Sequence, residues 1–218
     1  VRKGKVAKGK EPKWKDEYIP LMKEHDVPDW YIKSCEKIKY MFPKAHAAAY
    51  VTNAFRIAWF KVHIPLAYYA AYYSIRAKAF DAQYMIFGKE KVKNKMKEIE
   101  MKNQKKEATK AELDMYDDLE IVLEMYERGF EFLPVDIYES EASKFKIQDN
   151  KLRPPLNSIP GFGTVAAQGI VNARKDGKFM SIDDLKIRAK IGASGAELLK
   201  QFGCLEGMSQ SNQLSLFG

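Results

Sequence analysis

Residues 156–171 read LNSIPGFGTVAAQGIV, two short apolar helical segments joined by a turn that contains Gly161 and Gly163. Glycine permits positive φ and carries no Cβ atom that would keep a neighbouring backbone at a distance. The second segment is predicted to be a helix that begins near Thr164, so its unpaired N–H groups and its positive dipole end point out of the turn. Such a turn can bind an anion through backbone donors, and a phosphodiester is the natural candidate.

This turn and its apolar flanks resemble the helix-hairpin-helix DNA-binding element. Apolar residues close the first segment and line the inner face of the second, namely Leu156, Ile159, Ala167, Ile170 and Val171. By this resemblance, the residues expected to contact the DNA backbone are Gly161, Phe162, Gly163, Thr164 and Arg174. The alternative is a glycine-containing helix–turn–helix that only packs in the core.

A second, degenerate helix–turn–helix is predicted at residues 191–205, which read IGASGAELLKQFGCL. We expect Gly192 and Gly195 to lie in its turn and Gly203 to end its second helix. Ser181 can cap a helix that begins before this turn. Two hairpins in tandem can straddle a duplex backbone, whereas a single hairpin binds weakly.

The composition is that of a globular chain with a basic surface. Its 218 residues, 46% apolar and 30% charged, are enough for one or two domains. The net charge of +8 and the isoelectric point near 9.2 suit a polyanionic partner, although this signal is weak by itself. No apolar run is long enough to cross a bilayer and no signal peptide is visible, so we expect no membrane partner. The two cysteines show no disulfide pattern, which favours a reducing cytoplasm. The opening VRKGK lacks an initiator methionine, which suggests a piece of a longer protein.

Residues that commonly bind metal ions are scattered. Cys35 and Cys204 are far apart and lack CxxC spacing, and the chain has only three histidines. We therefore predict no zinc site, no disulfide framework and no metal or cofactor bound by this chain. One acidic group could suggest a metal cluster, and it consists of Asp114, Asp117, Asp118 and Glu120. On a helix these residues make an ordinary polar face, so we expect no catalytic residue there.

The strongest helix signal runs from Pro43 to Ile64. Proline suits a first helical turn, AHAAAY is rich in the best helix former, and Pro65 ends the run. An apolar stripe expected to face the core consists of Ala48, Val51, Phe55, Trp59 and Val62. On another face lie His46, Tyr50 and Asn53, and the small alanines around them would let another molecule approach closely.

The remaining sequence predicts more helices and one small β element. Residues 1–15 are interpreted as a basic extended segment or linker, either a nucleic-acid contact or a solvated, disordered end. Helices are expected to follow at about 14–25 and 29–41. After Pro65 comes a tyrosine-rich helix, with its rings in a half-buried core and its hydroxyls at the rim. Charged, solvent-facing helices are expected at about 81–103 and 108–128. Short β-prone runs follow at 131–138 and 144–156, with a turn at Asp149-Asn150.

The tail SQSNQLSLFG carries a second functional signal. It places Gln213, Leu214, Leu216 and Phe217 at the end of a polar stretch. An exposed apolar pair is costly in water and is typical of a linear motif that docks in an apolar pocket. QLSLF resembles the peptide by which bacterial replication proteins bind the sliding clamp. In this interpretation Leu216 and Phe217 are the anchors and Gln213 is the hydrogen-bonding side chain.

A third stretch, KYMFPKAHAAAYV at 39–51, completes a family resemblance. With the tyrosine-rich helix, the PPLNSIPGFG hairpin and the terminal QLSLF, it resembles the C-terminal end of a PolC-type DNA polymerase III α subunit, a C-family replicase. The resemblance covers essentially the whole chain. It implies a mainly α fold, with a helical fingers region at 1–128, a small β element and tandem helix-hairpin-helix domain at 129–207, and a clamp-binding tail at 208–218.

The family performs template-directed nucleotide addition with two Mg²⁺ ions held by palm aspartates, and it carries a 3′–5′ exonuclease. Neither part is matched here, so the resemblance implies that Mg²⁺ binds outside this chain and that the chain alone is inactive. The implied partners are primer–template duplex DNA, an incoming dNTP, the β sliding clamp and the rest of the polymerase, including palm and thumb. The residues implied to contact the nucleotide or nascent base pair are Lys44, His46, Tyr50 and Arg56, with Lys61 a weaker candidate.

Within that set, Lys44 would supply charge to the phosphates, and Tyr50 with His46 would face the base pair. The alternative for His46 is a histidine whose hydrogen bonds are satisfied inside the fold. Two other functions remain open for the chain. One is a stand-alone DNA-binding accessory protein that associates with the clamp, for which the upstream reading frame would contain no palm domain. The other is a repair nuclease module, which requires catalytic carboxylates adjoining the hairpin.

Overall fold

A computed structural model describes residues 1–211, and these residues form ten α-helices and one two-stranded sheet. The predicted mainly α fold class is therefore confirmed. The first five helices are α1 (Ile19–Glu24), α2 (Asp29–Lys37), α3 (Lys44–His63), α4 (Pro65–Ile75) and α5 (Ala82–Met85). The others are α6 (Lys89–Gln104), α7 (Lys110–Glu127), α8 (Thr164–Ala173), α9 (Ile182–Ala189) and α10 (Ala193–Gln201). Strands β1 (Lys146–Gln148) and β2 (Lys151–Arg153) pair between α7 and α8.

The chain divides into two compact units, Val1–Ala58 and the residues from Trp59 onward. A small hydrophobic cluster in the first unit contains Trp14, Ile32 and Cys35. The N-terminal residues Val1 and Val6 pack against this cluster, and the Met41 N–H donates to the Arg2 carbonyl. The prediction of an extended segment at 1–15 is therefore wrong. Apolar side chains between the lysines give this segment a surface to bury, which the charge pattern alone does not reveal.

Helix α3 has nearly the bounds that the sequence predicts, but its apolar stripe does not enter a core. None of its residues is buried, and the exposed members of the predicted stripe include Val51, Phe55, Trp59 and Val62. Phe55 is 73% exposed. The predicted core role of this stripe is therefore wrong within the described residues. An apolar stripe indicates that a helix needs a partner surface, but it does not say whether that surface belongs to the same chain.

The tyrosines of α4 confirm the prediction of a half-buried aromatic core. Tyr69 and Tyr73 are buried, whereas Tyr68 and Tyr72 lie at the rim. The Tyr69 hydroxyl donates to Glu124 at 3.2 Å and accepts from the Arg128 guanidinium. At the rim, burial together with the nearby Asp118 carboxylate raises the pKa of Tyr72 to about 12.

The helix predicted at 81–103 is divided in two. Gly88, at φ +97°, separates α5 from α6, a conformation that favours glycine. Helix α6 pairs with α7, and although most of α6 faces solvent, Val92 and Ile99 are buried against its neighbour. A capping box, in which Thr109 and Glu112 satisfy each other's backbone N–H groups, begins α7.

The predicted turn at Asp149-Asn150 is confirmed. Both residues have positive φ. A two-residue hairpin turn with this conformation matches the right-handed twist of the strands that it joins. The preceding β-prone run contributes only a parallel bridge between Phe132 and Leu152. From here a single hydrophobic cluster extends from Leu66 on α4 to Leu205 beyond α10, so residues before and after position 128 share one core.

Candidate nucleic-acid interface

The first hairpin is built around a proline–glycine turn. Its first segment is one 3₁₀ turn, Leu156–Ser158, rather than a full helix. Pro160 disfavours helical backbone at Ile159, which is extended with ψ of 122°. Gly161 has φ of +79°, and the Phe162 N–H donates to the Ile159 carbonyl at 3.0 Å. This hydrogen bond closes the turn immediately before α8.

Gly163 is the N-cap of α8 and has no side chain to satisfy the first-turn N–H groups. Its φ of −70° is ordinary, so the positive φ that glycine permits occurs at Gly161 and not at Gly163. Gly163 leaves the end of α8 uncovered, because it has no side chain and a Cβ atom built there would have no atom within 4 Å. Thr164 and Val165 are exposed in the following turn. The free N–H groups at this helix end are therefore open to an approaching anion.

The second hairpin repeats this geometry between α9 and α10. Lys190 takes the positive φ of Gly161, at +55°, and Gly192 is an N-cap without a side chain, like Gly163. Burial follows the same order along residues 162–170 and 191–199. The tandem arrangement predicted from the sequence is thus present, with two similar glycine-capped helix N-termini.

Gly195 does not lie in the second turn, so that prediction is wrong. It lies inside α10, where a Cβ atom would be 3.4 Å from the Phe162 ring. Phe162 itself is only 3% exposed and fills the space between the hairpins. Elsewhere in the pair, Gly169 brings α8 so near α9 that a Cβ atom would lie 2.2 Å from the Ala189 carbonyl oxygen. These contacts fix the spacing of the two helix N-termini.

Of the five residues predicted to contact the DNA backbone, three meet at the exposed tip: Gly161, Gly163 and Thr164. The Phe162 side chain points inward and supports the turn. The Arg174 guanidinium donates to the carbonyls of Ile137 at 3.0 Å and Ser140 at 2.6 Å, and it is 14% exposed. These carbonyls occupy the Arg174 guanidinium, so the structure does not favour the predicted contact of Arg174 with the DNA backbone.

The predicted nucleotide-contacting residues of the first unit lie along α3. His46 and Tyr50 make an edge-to-face contact with ring centroids 4.5 Å apart, and His46 also stacks on Phe42. An open cavity of about 510 Å³ beside them is lined by Arg2, Tyr40, Met41, Phe42, Pro43 and His46. Phe42 was missed by the sequence analysis, although its spacing of four from His46, and of eight from Tyr50, would place it on the same face.

Phe42, His46 and Tyr50 form an aromatic row, and the cations predicted to act with it differ in how exposed they are to solvent. Lys44, in the first turn of α3, and Arg56 are exposed. Lys61, at the end of α3 that belongs to the second unit, forms an ion pair with Glu124 of that same unit, and its side chain is 29% exposed. The weaker candidate is thus already paired with a carboxylate, whereas Lys44 and Arg56 are open to solvent.

Within the acidic group on α7, Asp118 has a structural role. Asp118 is buried and accepts hydrogen bonds from the N–H groups of Lys78 at 2.9 Å and Ala79 at 2.8 Å. Burial raises the pKa of Asp118 above its usual range. Among residues 1–211, no three His, Cys, Asp or Glu side chains are grouped to hold a metal ion. The oxygens of Asp118 are engaged by the fold, and they do not fit a metal centre.

The clamp-binding residues predicted in the tail, Gln213, Leu214, Leu216 and Phe217, lie outside the described residues. Ser209 and Gln210, which precede them, are hydrogen-bonded to the N-terminus of α9. The carbonyls of Ser209 and Gln210 accept hydrogen bonds from the first N–H groups of that helix, at 2.9 Å and 3.1 Å. In the same part of the chain, residues 1–211, no helix combines the length and the apolar character that a membrane span requires.

Comparisons with known proteins confirm the predicted resemblance. A family model of the helix-hairpin-helix motif matches residues 129–214. The chain is similar to proteins named DNA polymerase III PolC-type, with 51% identity in Oceanobacillus iheyensis, 52% in Bacillus subtilis and 49% in Streptococcus sanguinis. Each alignment covers the whole chain but only 14–15% of the relative. The chain thus spans about 15% of the length of the curated relatives that it matches.

Replacing Arg174 separates a structural role from DNA contact. For Arg174→Gln we expect the free energy of unfolding to fall by about 1.5–3 kcal/mol, because hydrogen bonds made by a charged group are lost. The salt dependence of DNA binding should not change. Urea denaturation and fluorescence anisotropy with labelled duplex measure the two effects, and Lys175→Gln, at an exposed neighbour, is the stability control. Unchanged stability with a reduced salt slope would instead make Arg174 a phosphate ligand.

Proposed function

Because the chain belongs over its whole length to the PolC-type DNA polymerase III family, we propose that it provides duplex-DNA binding within a replicative polymerase. The intact protein would add nucleotides to a primer under the direction of a template. Its Mg²⁺ ions, and a 3′–5′ exonuclease, would belong to parts outside this chain. Similarity to polymerases along the entire chain favours this function over a stand-alone accessory protein.

The observation that carries the proposal is the pair of glycine-capped helix N-termini. Gly163 and Gly192 both leave the first-turn N–H groups uncovered, and the contacts of Phe162 and Gly169 hold the two ends at a fixed spacing. Backbone donors at a helix N-terminus suit phosphate oxygens and carry no information about base sequence. The net charge of +8 also favours a polyanion. We therefore propose that the two hairpins grip the primer–template backbone.

The assignment of domains follows from this function. We propose that residues 1–128 act with the fingers of the polymerase, that 129–207 form the duplex-binding domain, and that 208–218 form a clamp-binding tail. Exposed apolar residues of α3 would then pack against the rest of the polymerase, such as its palm or thumb.

Gly163→Val is the sharpest test of the hairpin. A valine fits at φ −70° in open space, so the fold should persist, but its methyl groups would cover the helix N-terminus. We expect affinity for a 20-base-pair duplex to fall about 10- to 100-fold, because a hydrogen bond to a charged group contributes about 1.5–3 kcal/mol. Anisotropy titrations at several salt concentrations measure the affinity.

Two comparisons make the hairpin test decisive. Ala111→Val places the same side chain at an exposed position in the first turn of α7, and it should leave affinity unchanged. Thermal unfolding of both variants should match that of the parent chain. Full DNA affinity in a folded Gly163→Val variant would rule out the hairpin as the backbone contact.

In the first unit, we propose that α3 faces the incoming nucleotide and the nascent base pair. Tyr50 is 67% exposed, and its contact with His46 extends the row that begins at Phe42. Such a row offers flat aromatic faces to a base, and Lys44 in the first turn of α3 lies where its charge could meet a phosphate. Arg56, about three turns beyond Lys44, could serve the same purpose.

Tyr50→Ala in the intact polymerase tests this assignment. We expect kcat/KM for dNTP incorporation to fall about tenfold, since losing a base-stacking aromatic costs about 1–3 kcal/mol. The dissociation constant for primer–template duplex should change little. Tyr31→Ala, at an exposed tyrosine of α2, is the matched control and should behave as the parent enzyme. Equal kcat/KM in the two variants would remove Tyr50 from the nucleotide site.

The tail is proposed to bind the β sliding clamp through Leu216 and Phe217, with Gln213 as the hydrogen-bonding residue. For Leu216→Ala with Phe217→Ala we expect loss of clamp binding by surface plasmon resonance, because the apolar anchors of such a motif supply most of its affinity. Ser215→Ala, between the motif's apolar residues, should bind as the parent does. Retained affinity in the double variant would place the clamp contact elsewhere in the polymerase.

A further inference from the structure

The segment that follows α4 is held in a fixed conformation. Both N–H groups at Lys78 and Ala79 donate to one oxygen of Asp118, and the Tyr72 hydroxyl donates to the other at 3.3 Å. Next in the chain, the Phe80 ring packs among those of Tyr73, Phe132 and Phe145. We refer to residues 76–81, RAKAFD, as the Asp118-anchored loop.

The Asp118-anchored loop lies directly beside the first hairpin. An open cleft of about 490 Å³ has residues 79–81 on one wall and residues 157–163 on the other. A smaller polar cavity of about 210 Å³ is lined by Lys78 together with Asn157 and Ser158. Asn157 in turn donates to the Thr164 hydroxyl at the start of α8. The loop and the proposed phosphate site are therefore neighbours on one surface.

Two cations on this loop are open to solvent. Arg76 is exposed at the end of α4. The Lys78 side chain is 67% exposed, and its Nζ lies 3.4 Å from an oxygen of Asp114. An ion pair this exposed contributes little to stability, so exchanging it for a phosphate is not costly. The anchoring by Asp118 fixes the backbone that carries both side chains, and their charged ends lie at the surface.

These observations point to a contact outside the two hairpins. We propose that Arg76 and Lys78 bind backbone phosphates of the DNA strand held by the first hairpin. Each strand of a duplex carries one phosphate per about 3.4 Å of its axis, so a basic element beside the hairpin meets the phosphates that follow. Asp118 acts as a positioning residue for this contact. The inference rests on the proposed binding of duplex DNA by the hairpin.

The test is the double variant Arg76→Gln, Lys78→Gln in the full chain, titrated with a labelled 20-base-pair duplex from 0.05 to 0.3 M salt. Removing two phosphate contacts should reduce the slope of log affinity against log salt by about two. If the two proteins bind equally at 1 M salt, this slope change corresponds to a roughly thirtyfold weaker affinity at 0.15 M salt. Both side chains are exposed, so thermal unfolding should not change.

The matched control is Lys97→Gln, Lys105→Gln, which removes the same charge from exposed positions of α6 and its end. Its slope should stay close to that of the parent chain. An equal loss in the two double variants would show a general charge effect and overturn the proposal. Parent-like binding by the Arg76, Lys78 variant would also overturn it. If Gly163→Val loses binding in that case, the hairpin remains the proposed DNA site and only the contact by Arg76 and Lys78 is rejected. Full binding by Gly163→Val would reject the hairpin and this inference together.

Discussion

The contact between the two hairpins is the constraint on which the proposed interface depends. Phe162 leaves the first turn and enters the core, where Gly195 of α10 provides room for its ring. Gly169 permits the close approach of α8 to the α9 backbone. A side chain at either glycine would separate these helices, because protein interiors have little free space. The distance between the two helix ends proposed to bind phosphate thus depends on two glycines, Gly169 and Gly195, that lie in the contact between the hairpins.

Around the first hairpin, buried polar groups hold backbone in place and leave charged side chains at the surface. Asp118 satisfies the N–H groups of the Asp118-anchored loop, and Arg174 satisfies two carbonyls in the segment before β1. A buried polar atom without such partners would cost about 1–3 kcal/mol. Asp118 and Arg174, which are conspicuous in the sequence, therefore serve the fold, whereas Arg76 and Lys78 lie exposed beside the hairpin proposed to bind DNA.

Helix α3 shows the opposite arrangement. Its apolar residues are exposed, and its aromatic row from Phe42 to Tyr50 borders an open cavity. An exposed apolar surface of this kind is typical of an interaction site, and we propose that other parts of the polymerase cover it. The alignments, which cover about 15% of each relative, agree with that interpretation.

The sequence by itself determined the helix ends of α3, the Asp149-Asn150 turn, the first hairpin and the family, because each depends on residues close together in the chain. It did not determine the inward direction of Phe162, the place of Gly195 within α10, the break at Gly88 or the partners of Arg174 and Asp118. Nor could it show that the stripe of α3 stays exposed. Only the tertiary structure decided these points, since each depends on which distant residue comes within contact distance, and periodicity within one segment carries no information about that neighbour.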